Sequence, residues 1–224
     1  MQHLIKKTIW LIIALPLAYL AFAWHSLPDT IAVHFNIEGN ADRFGPKTEL
    51  LVPAVILTVL NTGVYLLLTN AHRMDPKRTA SMNQARLQRI AFVTTLFMSA
   101  VLCLIVYGSM KGNMKSGGRL IFCGIGILFC VIGNYMHALK PNYFAGIRSP
   151  WALEDETNWK KTHLLAGRLF FAGGLLMALI CLFTPDRVSL FVVPGITLLV
   201  SAIPFVYSYR LYKQKKRSLN TNRL

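Results

Sequence analysis

Only nine carboxylates, Asp29, Glu38, Asp42, Glu49, Asp75, Glu154, Asp155, Glu156 and Asp186, stand against 24 Lys and Arg in 224 residues, and all nine lie outside the long apolar runs. A carboxylate proton relay inside a membrane is therefore excluded. Charged residues make up 15% of the chain, where a soluble domain carries about a quarter. The four cysteines, Cys103, Cys123, Cys130 and Cys181, all sit within apolar runs, which excludes a disulfide framework in polar loops. Cys123 and Cys130 share a helix face but lack neighbouring His or acidic ligands, so they read as packing residues and not as a zinc site. There is no zinc-protease His-Glu pair, no nucleophile-elbow serine and no paired-carboxylate site, so an enzyme is not expected, and neither is a cofactor.

Hydrophobic residues make up 54% of the chain, and they concentrate in six segments. They run from Thr8 to Trp24, Leu51 to Thr69, Ile90 to Tyr107, Leu120 to Met136, Leu164 to Phe183 and Val188 to Tyr209. Each comes close to the roughly 20 residues a helix needs to cross about 30 Å of hydrocarbon. The fourth is the shortest and is expected to extend a turn at each end. The first resembles a signal peptide, with Lys6 and Lys7 ahead of it, but Trp24-His25-Ser26-Leu27-Pro28 lacks a small-x-small cleavage pattern, so it is expected to be retained.

The net charge of +15 does not point to nucleic acid, because the basic residues fall between apolar runs and do not gather on one soluble face. They set topology instead. Two precede the first segment, five lie between the second and third, four between the fourth and fifth, and six follow the last; the alternate loops hold two, three and one. Since cytoplasmic loops carry the excess, both termini are expected inside. The fold class is thus an all-α integral membrane protein, a six-transmembrane-helix bundle, N-in/C-in, bathed in lipid. Pro16, Pro53, Pro194 and Pro204 predict kinks in the first, second and sixth helices. No repeat relates the two halves.

Two loops carry the unusual residues. In the outer loop, residues 25–50, Ile31-Ala-Val-His-Phe-Asn-Ile alternates and then meets the turn chemistry of Glu38-Gly39-Asn40. This predicts a short extended segment with Ile31, Val33, Phe35 and Ile37 on one side and His34, Asn36 and Glu38 on the other. Recognition of an external molecule fits this loop better than a metal, since His34 with Glu38 or Asp42 has no recognised ligand spacing.

In the inner loop, residues 137–163, Lys140-Pro141-Asn142 ends the fourth helix and begins a turn. Glu154-Asp155-Glu156 places carboxylates where a helix beginning near residue 155 has its positive end. On that helix Trp159, His163 and Gly167 form one stripe, and Gly167 lets another helix approach. Arg168 falls at the headgroup level, where it snorkels. Asn61 and Asn134 are polar within or near the spans and suit hydrogen bonds across helices.

These residues resemble the SdpI family of bacterial membrane immunity proteins. The resemblance is carried by Asn134, Lys140-Pro141-Asn142-Tyr143-Phe144, Gly146-Ile147-Arg148, Ser149-Pro150-Trp151 and Trp159-Lys160-Lys161-Thr162-His163, followed by Gly167. Leu27-Pro28, His34-Phe35-Asn36, Gly39 and Asp42 resemble a small domain of unknown function that often begins such proteins. The acidic triplet departs from the more mixed polar residues of the family.

The resemblance implies protection against a secreted peptide toxin, with signalling in the founding type by holding a transcriptional repressor at the membrane. It divides the chain into an N-terminal helical hairpin, residues 1–70, and a four-helix SdpI-like region, residues 71–224. Binding residues are then expected at Asn142, Gly146, Arg148, Trp151, Trp159, Lys161 and His163 in the inner loop and at His34, Asn36, Gly39 and Asp42 in the outer loop. Trp and Arg are typical anchors of such contacts, and Trp is equally typical of a membrane interface. A small-solute or peptide transporter is the competing class.

Overall fold

The computed structural model describes residues 2–76 and 78–221, with the side chains of residues 2–7 and 78–80 left aside. The side chains of Lys6, Lys7 and Arg78, and residues Lys77 and Arg223, which entered the charge count, lie outside that description. Among the described residues, seven α-helices account for most of the structure: α1 Gln2–Ala23, α2 Leu51–Met74, α3 Gln84–Lys111, α4 Gly117–Met136, α5 Pro150–Glu154, α6 Glu156–Phe183 and α7 Asp186–Thr221. Among the described residues, five helices are long and apolar enough to cross a membrane, and a shorter apolar stretch, Thr8–Ala23, lies in α1. Their outward faces carry large apolar side chains such as Phe22, Phe183 and Phe191, each at least 80% exposed, which a bilayer covers and water does not.

Helix breaks follow local chemistry. Pro53 falls in the first turn of α2, where its missing N–H costs no bond within the helix. Pro16, Pro194 and Pro204 do lie inside α1 and α7. Helix α4 extends by three residues at its start and not at its end, and it stops at Met136, ahead of Lys140-Pro141. Asp155 interrupts the chain between α5 and α6 in an extended conformation, and its carboxylate accepts the N–H groups of Thr157 and Asn158 as the α6 cap.

The tightest helix pair is α4 with α6, and glycines on both make it so. A Cβ on Gly126 would stand 2.6 Å from the Gly174 carbonyl oxygen, and one on Gly133 2.5 Å from the Phe171 nitrogen. Gly126 and Gly133 are seven apart on α4, as Gly167 and Gly174 are on α6, and together they let backbone touch backbone. Helices α2 and α3 are joined by Asn61, whose amide donates to the Thr95 carbonyl and the Ser99 hydroxyl. Asn134, by contrast, is exposed on α4.

The segment after α1 forms a two-stranded antiparallel hairpin, β1 Thr30–Phe35 with β2 Ala41–Pro46. The second strand was not expected. Nor does strict alternation hold: the register shifts between Ala32 and His34, so Ile31 and Ala32 are both buried, Val33 is half-buried and Ile37 is exposed. Ile31 anchors the hairpin on a cluster with Leu20, Leu27, Leu50, Ala54, Leu102 and Val106. At the opposite end of the bundle, Leu139 packs with Ala71 and Leu87 beneath the 137–149 loop.

Candidate functional site

At the hairpin end the turn is built by Asn36, whose side-chain oxygen accepts the N–H groups of Glu38 and Asn40. Gly39 adopts φ +76°, and a Cβ there would meet the Met114 carbonyl at 2.5 Å. Met114 N–H donates to the Gly39 carbonyl at 2.7 Å, fixing the hairpin tip on the α3–α4 connection. Beyond the tip, His34 Nδ1 lies 2.5 Å from Asp42 Oδ1, and Glu38 pairs with Arg187 at the start of α7. A groove of about 700 Å³ opens between the hairpin and the first turns of α4 and α7; His34, Phe35, Glu38, Asp42, Asp186 and Arg187 are on its walls. Of the four outer-loop residues singled out in the sequence, His34, Asn36 and Asp42 line this groove, while Gly39 is buried at the tip.

At the far end the polar loop is held by its own amides. Asn142, 1% exposed, accepts from the N–H groups of Phe144 and Ala145 and donates to the carbonyls of Lys140 and Ala145. Asn83, fully buried, brackets Lys140 with a bond to its carbonyl and one from its N–H. Such satisfied buried amides fix a loop in one conformation.

Gly146, at φ +105°, then brings Ile147 N–H to His163 Nε2 at 3.1 Å. Since Nε2 accepts, Nδ1 carries the proton and donates to the Trp159 carbonyl at 2.9 Å. The ring stacks on Trp159 with centroids 3.8 Å apart, and Trp159 Nε1 donates to the Leu139 carbonyl. Both His163 nitrogens are thus committed to backbone, leaving neither for a reacting group.

A second buried set lies beside it. Asn158 donates to the Ser208 carbonyl and accepts from the hydroxyls of Ser208 and Thr162, while Ser149 and Ser208 hydroxyls are 3.0 Å apart. This ties α5, α6 and α7 together. Trp151 lies among Phe205, Tyr209 and Tyr212 of α7. Outside this buried framework Lys215 binds Asp155 at 2.9 Å, and that contact, followed by the Asn158 and Thr157 N–H groups, holds the Asp155 carboxyl below its usual range despite partial burial.

The structure therefore joins Asn142, Gly146, Trp159 and His163 in one buried assembly. Arg148 reaches the Tyr143 carbonyl from an exposed position, Lys161 is exposed, and Trp151 is half-buried. Sequence reading named Ser149 and Thr162 only among the residues that carry the resemblance, and missed Asn83, Asn158 and Ser208. Asn158 and Thr162 stand four apart beside the Trp159 and His163 stripe, which was a usable signal; nothing local marked Asn83 or Ser208.

Long apolar helices around a buried, hydrogen-bonded polar loop define a multi-pass helical membrane protein. Residues 138–208 match the SdpI/YfhL protein family, and residues 11–58 match a domain of unknown function (DUF1648). The chain is similar to the immunity protein SdpI of Bacillus subtilis (strain 168), 28% identical over 215 residues that cover 93% of this chain and 97% of that protein. Over the matched residues the chain is similar to the SdpI family, and that similarity extends to the immunity protein along most of its length. No solved structure matches it.

Proposed function

We propose that this protein protects the membrane that holds it against a secreted antimicrobial peptide. The observation that carries this reading is the similarity to an immunity protein over nearly the whole of both chains. In the proposed arrangement six helices cross the bacterial plasma membrane with both termini inside, residues 1–70 forming one hairpin unit and residues 71–224 the four-helix region. The unequal distribution of Lys and Arg between alternate loops supports that orientation.

The hairpin groove then faces outward and takes the peptide. His34, Asn36 and Asp42 supply polar contacts, Phe35 an apolar one, and Gly39 holds the tip. The far end faces the cytoplasm, where Arg148, Lys161 and Trp151 offer contacts to a soluble partner, a transcriptional repressor in this reading. Asn142, Gly146, Trp159 and His163 hold the loop in the shape such a partner reads.

Deleting the gene and challenging cells with secreted peptides tests the reading. Sensitivity should rise and be restored by the wild-type chain; unchanged sensitivity accompanied by altered uptake of a small solute refutes it. For the cytoplasmic role, partners captured by wild type and by Arg148→Ala should differ, and identical sets remove that role from Arg148.

A further inference from the structure

At the far end, between α1, α2 and α3 and closed by Tyr135 of α4, over whose ring the Arg89 guanidinium stands at 5.7 Å, lies a cavity of about 560 Å³ that neither proposed role uses. Its walls change character along the helix axis. Arg73, Gln84, Gln88 and Arg89 lie toward the ends of α2 and α3, and Trp10, Tyr65, Leu66, Phe92 and Val93 lie deeper. From Arg73 to Tyr65 the distance along α2 is about 12 Å at the helical rise.

No carboxylate lines it, and neither Arg73 nor Arg89 is ion-paired among the described residues. The acid nearest in sequence, Asp75, accepts the Tyr143 N–H at 2.7 Å. His72 on the wall has a buried Nδ1 with no hydrogen-bond partner. Trp10 and Leu66, 48% and 43% exposed, lie on the outward side, so the apolar half opens laterally toward lipid.

We infer that this cavity binds an anionic phospholipid, its phosphate held between Arg73 and Arg89 and one acyl chain laid along Leu66, Phe92 and Val93. Guanidinium groups grip phosphate oxygens through charge-assisted, often bidentate, hydrogen bonds, and basic pockets between membrane helices are suited to anionic headgroups. A free phosphate would satisfy the arginines and leave the apolar half empty. A phosphatidylcholine would fill the apolar half but set its quaternary ammonium among the cations.

The test is a titration of the full-length protein in neutral detergent, followed by native mass spectrometry or thermal shift, with phosphatidylglycerol, phosphatidylcholine of the same chains, and inorganic phosphate. Phosphatidylglycerol should bind roughly tenfold tighter than phosphatidylcholine, a modest return for two arginines near a headgroup, and inorganic phosphate should compete only weakly. Arg73→Gln with Arg89→Gln should abolish the preference at an unchanged melting temperature in lipid-free detergent. Leu66→Trp, which fills the apolar half and leaves both arginines in place, should weaken the lipid and spare phosphate; it serves if the arginine pair variant does not fold. Equal binding of the two lipids, a preference that survives the arginine substitutions, or phosphate competing as well as lipid overturns the inference.

Discussion

Gly146→Ala is the sharpest perturbation of the far-end assembly. The position has φ +105°, and a Cβ would stand 2.2 Å from His163 Nε2 and 2.9 Å from its Cδ2. An L residue held in that region costs about 1–3 kcal/mol. His163 must also withdraw, which leaves the Ile147 N–H without its acceptor at about 1–3 kcal/mol more. The loss is then roughly 2–6 kcal/mol, a large part of the total stability of a typical domain.

Unfolding of the detergent-solubilised protein, followed by tryptophan fluorescence, measures it, because Trp159 stacks on His163 and reports the ring's displacement. His163→Ala removes the clash but not the backbone strain, so the double variant should lose less than the sum of the single losses by roughly 1–3 kcal/mol. A Gly146→Ala protein within about 0.5 kcal/mol of wild type, the ordinary spread of neutral substitutions, or strict additivity with His163→Ala, would refute the geometry.

Other outcomes follow from the same contacts. Gly133→Leu should prevent native α4–α6 association, since even its Cβ would meet the Phe171 backbone nitrogen at 2.5 Å; native-like melting of that variant would show the helices to be further apart. Asn158→Ala should cost roughly 2–4 kcal/mol by stranding buried partners on Thr162 and Ser208, read by the same unfolding assay, with a near-neutral effect counting against the network. Because the Asp155 carboxyl is held low in the folded protein, chiefly by Lys215, its contribution is present above the ordinary aspartate range and is lost as pH falls through the depressed value. Hydrogen exchange in the first turn of α6 should therefore differ between wild type and Asp155→Asn at neutral pH and converge in acid. His34→Ala should change stability by less than about 1 kcal/mol, the worth of an exposed side-chain contact such as that with Asp42, yet lower peptide resistance in the challenge assay; full resistance would take His34 out of the groove's role.

The membrane class and the long apolar helices were legible in the sequence, though the short α5 was not, because a span is a local property: about 20 apolar residues are needed wherever the segment later packs. The start of α6 near residue 155 was legible for the same reason, from its acidic residues, although which of them caps the helix was not: Asp155 serves N–H groups two and three residues ahead. The stripe of Trp159, His163 and Gly167 followed from helical spacing. The hairpin was only half visible. Ile31 to Phe35 carries strand residues, whereas β2, Ala41–Pro46, holds Asp, Arg, Gly and Pro and is a strand because β1 supplies its hydrogen-bond partners. A bulge is a matter of pairing, so the burial of both Ile31 and Ala32 could not be read from alternation.

The sequence by itself determined which segments are apolar, where the basic residues fall between them and where the helices start, because each depends on residues within a turn or two of one another. Tertiary structure decided which helices touch and what the polar residues in them do. Asn83 meets Lys140 across 57 positions, Asn158 meets Ser208 across 50 and Glu38 meets Arg187 across 149. A hydrogen bond is satisfied by whatever lies about 3 Å away, and chain separation places no limit on which residue that is.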